Sequence, residues 1–179
     1  MLLMPDQDWY WFFDETQQQL ALALGPEWVF TCAIPAKQLN PDCHFQRPFT
    51  AEHAGYYVRC LELLPSQFHC SDAVLMQAAL NMVAAKFFAI PMMPKSWFFN
   101  SSATIVYAKE LKTISLQTSE QRSQFVIVDA NDQWSLLMLI DAQCQLNPIK
   151  SLDQFALIKV MNDRLMPAIK QKSVAIVAA

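Results

Sequence analysis

Between Asp8 and Leu24 the chain alternates apolar and polar positions with the period of a β-strand. Trp9, Trp11 and Phe13 share one face of a pleat, and Leu20, Leu22 and Leu24 share another. The polar Asp14-Glu15-Thr16 separates the two runs, so 8–24 predicts a hairpin. Gly25-Pro26 turns the chain into a third short run at 27–33, and Pro35, Pro41 and Pro48 make 34–49 irregular, with room for one helical turn. The period then changes. Ala54, Tyr57, Val58, Leu61 and Leu64 recur at i, i+3, i+4, i+7 and i+10, which is one face of a helix, with Thr50 as N-cap and Pro65 as stop. A second helix is predicted from Ser71-Asp72 to about Ala89. It is apolar nearly all round, with Gln77 and Asn81 as a narrow polar stripe, so it belongs in the core.

Beyond Pro94 the strand period returns. Runs at 97–100, 103–108, 111–118, 123–129, 133–141 and 143–147 are separated by polar turns, a spacing that suggests a small antiparallel barrel or sandwich. Residues 151–165 fit a last strand better than a helix, and 173–179 reads as a short strand or a frayed end. The fold class expected is α+β. An N-terminal mixed α/β part, a hairpin or small sheet plus two helices, spans 1–96, and a C-terminal twisted antiparallel barrel-like part spans 97–179.

Composition narrows the function. The chain is 54% hydrophobic and only 16% charged, against roughly 25% charged in an average domain. So little charge implies apolar surface that is exposed or covered by a partner. The formal net charge is −3, and duplex nucleic acid is disfavoured as a partner because its binders need a basic face. Charge is uneven: residues 1–96 carry five Lys/Arg and nine Asp/Glu, whereas 150–179 carry five basic and two acidic side chains. The apolar stretch 73–94 is interrupted by Gln77, Asn81 and Lys86 and falls short of a membrane span. Met1-Leu2-Leu3-Met4 lacks the basic flank of a targeting signal, so a cytosolic protein is expected.

No catalytic kit stands out. The chain has two glycines, Gly25 and Gly55, too few for a dinucleotide fingerprint, a P-loop or a nucleophile elbow. Cys43-His44 and His69-Cys70 lack the ligand spacing of structural zinc sites, so neither metal nor cofactor is expected. Five irregularly spaced cysteines read as reduced, mostly buried thiols. Two rivals to a binding role stay open: a small hydrolase or transferase with a Cys nucleophile, and a carrier of an apolar ligand in the β half.

The string Met93-Pro94-Lys95-Ser96-Trp97-Phe98-Phe99 and the string Ile158-Lys159-Val160-Met161-Asn162-Asp163-Arg164-Leu165, followed by Pro167, resemble the Z-ring-associated protein C (ZapC) family of bacterial cell division. Pro5-Asp6, Trp9, Trp11, Asp14-Glu15, Pro41-Asp42 and Asn81 fall where that family places them. The likeness covers nearly the whole chain, although 16–40 is more apolar and less basic than the family pattern. The resemblance implies a cytosolic, non-enzymatic protein at the midcell ring. It would bind the tubulin-like division GTPase FtsZ, bundle its polymers laterally, and act as a monomer with more than one contact surface. It also implies an N-terminal α/β part and a C-terminal twisted, barrel-like β part. Crosslinking filaments takes two surfaces per particle, each of which can be weak. The expected surfaces are Leu20, Leu22 and Leu24 with Lys95 and Trp97 in one, and Lys159 and Arg164 in the other.

Overall fold

The computed structural model describes residues 1–170 and 173–177. Its first sheet is antiparallel, in the order β3-β2-β1-β4, from β1 (Tyr10–Asp14), β2 (Gln19–Ala23), β3 (Val29–Thr31) and β4 (Arg47–Pro48). The predicted hairpin is β1–β2. Its turn is tied by the Asp14 carboxylate, which accepts the amides of Thr16 and Gln17, and Gln18 takes a positive φ of 55°. Gly25, at φ 117°, makes the next reversal, a conformation that a residue with a Cβ rarely adopts.

The register corrects the face assignment. Trp11 stands opposite Leu22 and Phe13 opposite Leu20, and directly opposed residues of a pair share a face. The leucines therefore lie on the same side as the aromatic row. Leu20 and Leu22 have no exposed surface, and Trp11 only 1%.

Thr50 caps α1 (Ala51–Leu63) in a capping box whose third residue is His53, and Ser71 caps α2 (Asp72–Phe88). The buried face of α1 is His53, Tyr56, Tyr57, Cys60 and Leu61; Ala54 and Val58 sit at its margin. α2 is central. It packs on α1 and on β7 (Arg122–Ala130), Phe88 meets Trp11 edge to face at 5.4 Å, and Asn81 accepts the Ala33 amide at 2.8 Å. Neighbours on several sides explain why its sequence is apolar almost all round.

The C-terminal half is a five-stranded antiparallel sheet in the order β11-β8-β7-β6-β12. Its strands are β6 (Thr113–Gln117), β7 (Arg122–Ala130), β8 (Trp134–Leu139), β11 (Leu157–Met161) and β12 (Met166–Pro167). A two-stranded pair, β9 (Gln143–Gln145) and β10 (Ser151–Asp153), accompanies it, and β13 (Ser173–Val174) pairs in parallel with β5 (His69–Cys70). Both faces of the large sheet are covered. Val126 and Val128 join the core of the helices, whereas Phe125 and Ile127 enter a second core with Phe99, Ile114, Leu116, Cys144 and Val160. That is why 125–128 is uninterruptedly apolar. The first core is continuous from Trp9 to Leu157, so the two halves share one interior.

Two expected strands are absent. Residues 96–98 form a 3-10 turn, and 103–108 form no strand, leaving Ile105 and Tyr107 more than 80% exposed. Alternation there had no neighbouring strand to pair with. The region 151–165 is β10, β11 and a 3-10 turn at Asn162–Arg164. Of the expected tail strand, 173–174 is β13, and 178–179 lie outside the described residues.

Candidate partner-binding surfaces

The expected site residues fall in three places. Leu20 and Leu22 are core, as the register requires. Leu24, one step beyond β2, is half-buried and lines a groove of about 670 Å³ between β3 and the first half of α2. Trp28 and Val29 on one wall, Ala73, Met76 and Gln77 on the other, and Leu3 at the end make it predominantly apolar. Trp28 is 68% exposed at its rim.

Lys95, Trp97, Lys159 and Arg164 belong together, not on two surfaces. The Lys95 amide donates to the Lys159 carbonyl at 2.8 Å, which straps segment 93–98 along edge strand β11. The Met161 amide donates to Ser96 Oγ at 2.8 Å and continues the strap. Lys95 and Trp97 project into solvent from it. Lys159 lies with its Nζ 3.8 Å from the centre of the Trp134 ring, a cation held against the face of an indole. Lys150 Nζ stands 6.0 Å from the Phe98 ring. Lys159 and Trp134 lie on the side toward α2 and Phe98 on the side of the second core, so the strap is a ridge with a cation beside an aromatic ring on either flank.

Arg164 is bound into the strap itself. Its Nε donates to the Ser96 carbonyl at 3.2 Å, its Nη1 to Ser101 Oγ at 2.9 Å, and it pairs with Asp163 at 2.8 Å. It braces the ridge from behind, and replacing it would move the strap as well as remove charge.

A cleft of about 220 Å³ separates the ridge from the C-terminal end of α2, lined by Lys86, Ile90, Met92, Trp134, Leu136 and Lys159. Lys86 is not available to a ligand as a bare charge. Its Nζ donates to Glu110 at 2.9 Å and Asp129 at 3.1 Å, and Glu110 also accepts from Arg59 at 3.1 Å. Burial alone would lower the Lys86 pKa, but these two carboxylates outweigh it and raise it. The network ties α1, α2, the 109–112 turn and β7.

Trp134, Lys150 and Phe98 were not singled out from the sequence. A signal existed for Trp134: it shares the alternate positions of Leu136 and Met138, and the pairing of Lys159 with Leu136 puts the lysine on that face.

The titratable groups elsewhere do not resemble a reactive centre. Burial pushes the Cys32 thiol up to about 12, and raises Cys43, Cys60 and Cys70 as well, the reverse of what a nucleophilic thiolate needs. His44, beside Cys43, is stacked on Phe13 at 3.8 Å. Among the described residues no group of three His, Cys, Asp or Glu side chains could hold a metal ion, and no helix is long and apolar enough to cross a membrane.

Comparison with known proteins agrees with the strings along β11 and its strap. The family model described as Cell-division protein ZapC, N-terminal, matches residues 2–90, and that described as Cell-division protein ZapC, C-terminal, matches 91–171. The chain is 44% identical over 179 residues to the cell division protein ZapC of Ferrimonas balearica, covering 100% of both. It is 42% identical over 174 residues to that of Shewanella frigidimarina, covering 97% of this chain and 98% of the relative. It is 34% identical over 165 residues to that of Photobacterium profundum, covering 92% of each. With both halves matched and relatives aligned end to end, the chain belongs to the ZapC family of cell-division proteins.

Proposed function

We propose that this protein is a non-enzymatic cytoplasmic adaptor that binds FtsZ polymers at the midcell ring, bundles them laterally and so stabilises the Z ring. The observation that carries the reading is the presence, on one chain of this family, of two exposed surfaces of different chemistry at the two ends of α2. The groove is lined from Asp72 to Leu80, and the cleft and ridge begin at Ala85. At 1.5 Å per residue, their centres along the helix stand roughly 15 Å apart. A monomer with two such surfaces can touch two neighbouring subunits or filaments, and occupancy of one raises the effective concentration at the other. Leu24 serves the first surface; Lys95, Trp97 and Lys159 serve the second, with Arg164 holding them in place.

The net charge of −3 gives no long-range attraction to an acidic polymer, so affinity rests on local apolar contact and on the ridge cations. Co-sedimentation with FtsZ polymers tests the reading. Enrichment in the pellet and thicker bundles are expected, and pelleting no better than an unrelated acidic protein would overturn it.

A further inference from the structure

We propose that the groove beside β3 takes an extended peptide segment of a partner protein as an added β-strand, with apolar side chains at alternate positions and a cationic side chain near Asp72. The backbone carries the argument. The Leu24 amide donates to the Trp28 carbonyl and the Cys32 amide to the Leu20 carbonyl, both at 2.8 Å, and Leu22 stands opposite Phe30. In an antiparallel pair, alternate residues turn their amide and carbonyl toward the partner strand. Trp28, Phe30 and Cys32 thus face β2, and Val29 and Thr31 turn theirs outward.

At Ala33 the outward row is already closed by the Asn81 side chain of α2. The open stretch is the part that borders the groove. β3 carries none of the usual protections of an edge: its residues are Val, Phe and Thr, with no lysine, proline or bulge. The opposite wall is a helix face, Ala73, Met76, Gln77 and Leu80, at i, i+3, i+4 and i+7. An open strand edge facing a helix across an apolar channel admits a peptide backbone along the edge and every second side chain into the channel.

Charge sets the preference for a cation. Asp72 is the one charged side chain in the lining, and Glu27 follows the turn at Gly25-Pro26, next to the rim residue Trp28. Asp72 already accepts an ammonium, that of Met1, at 3.0 Å. That ammonium offsets Asp72, so the uncompensated charge at the mouth is that of Glu27; an incoming lysine or arginine can pair with Glu27 or take the place of the Met1 ammonium on Asp72, whereas an acidic segment would add to the charge of Glu27.

The inference does not depend on FtsZ being the partner, so loss of co-sedimentation and loss of peptide binding are separate results. The test uses the full chain and synthetic octapeptides alternating Val and Ser with Lys at both ends, the same with Glu ends, and the Lys peptide N-methylated throughout its interior. The Lys peptide is expected to slow amide exchange at Val29 and Thr31 at least tenfold and to bind at least fivefold tighter than the Glu peptide. Thr31→Pro, which removes an outward amide without breaking a bond to β2, should weaken binding about tenfold. If that variant does not fold, the N-methylated peptide on the unaltered chain decides. No binding, equal binding of the N-methylated peptide, or unprotected amides would overturn the proposal. So would protection that appears with protein concentration alone, since that marks β3 pairing between two copies.

Discussion

The two ends of α2 present opposite solutions to the problem of exposing a sticky surface. The groove end is apolar, with one charged side chain in its lining and free backbone on one wall. The ridge end is a strap fastened along β11, and its exposed apolar groups, Met93 and Trp97 foremost, stand among Lys95, Lys150 and Lys159. Cations discourage self-association and respond to salt; an apolar groove does neither. In a protein with so little charge, the placement of a few lysines therefore separates the two surfaces more sharply than their shape does.

The largest effects should come from breaking the scaffold under the groove. Leu22→Ala removes a fully buried side chain and should lower unfolding free energy by about 2–5 kcal/mol in urea titration. Leu24→Ala, two residues along, should cost under about 1 kcal/mol, while still altering the groove. Equal losses would erase the distinction between core and surface leucines.

Acid should act first in the core beside the C-terminal end of α2, where His53 meets Phe87 and Phe88. His53 Nδ1 accepts both the Trp11 indole N–H at 3.3 Å and the Thr50 amide at 3.1 Å, which requires neutral imidazole. Burial, with a smaller contribution from Arg47, lowers its pKa to about 4. The unfolded chain, at the ordinary value of 6.5, then binds more protons below that pH. Stability from this residue is complete above pH 6.5 and declines as pH falls toward 4, by about 3 kcal/mol in all. His53→Gln, which preserves the capping geometry, should flatten the decline. An unchanged pH profile in that variant would assign the acid sensitivity elsewhere.

A smaller effect is expected where the ends are tied together. Glu110→Gln leaves Lys86 with Asp129 alone and releases Arg59. A loss on the order of 1–2 kcal/mol, shrinking at high salt, is expected in thermal unfolding. A loss that salt does not touch would mean that packing, not charge, holds α1 and α2 to β7.

Much of this layout was written in local signals. The caps Thr50 and Ser71, the stop at Pro65 and the apolar girth of α2 gave both helices nearly to the residue, and alternation gave the hairpin. The relation between strands was harder. Alternation says which residues share a face within a strand, but the turn fixes which face a second strand offers, and the Asp14–Gln19 connection brought Leu20 and Leu22 to the side of Trp11 and Phe13. In 103–108 the alternation of Ile105 and Tyr107 has no partner strand, so period alone misled. Lys95, Trp97 and Lys159 stand out individually, yet their meeting depends on a backbone bond between Lys95 and Lys159, sixty-four residues apart in sequence. No local pattern reports such a bond.

The central claim is that two surfaces act together, and the most direct test is light scattering and co-sedimentation of FtsZ polymers at low and high salt. The variants are Lys159→Glu on the ridge and Ala73→Glu in the groove, with Gln17→Glu in the β1–β2 turn as a control. Each of the first two should reduce bundling several-fold while leaving measurable co-pelleting, salt should weaken only the binding that depends on the ridge, and the control should match the unaltered chain. Bundling that survives both single changes, with folding intact by circular dichroism, would contradict the account.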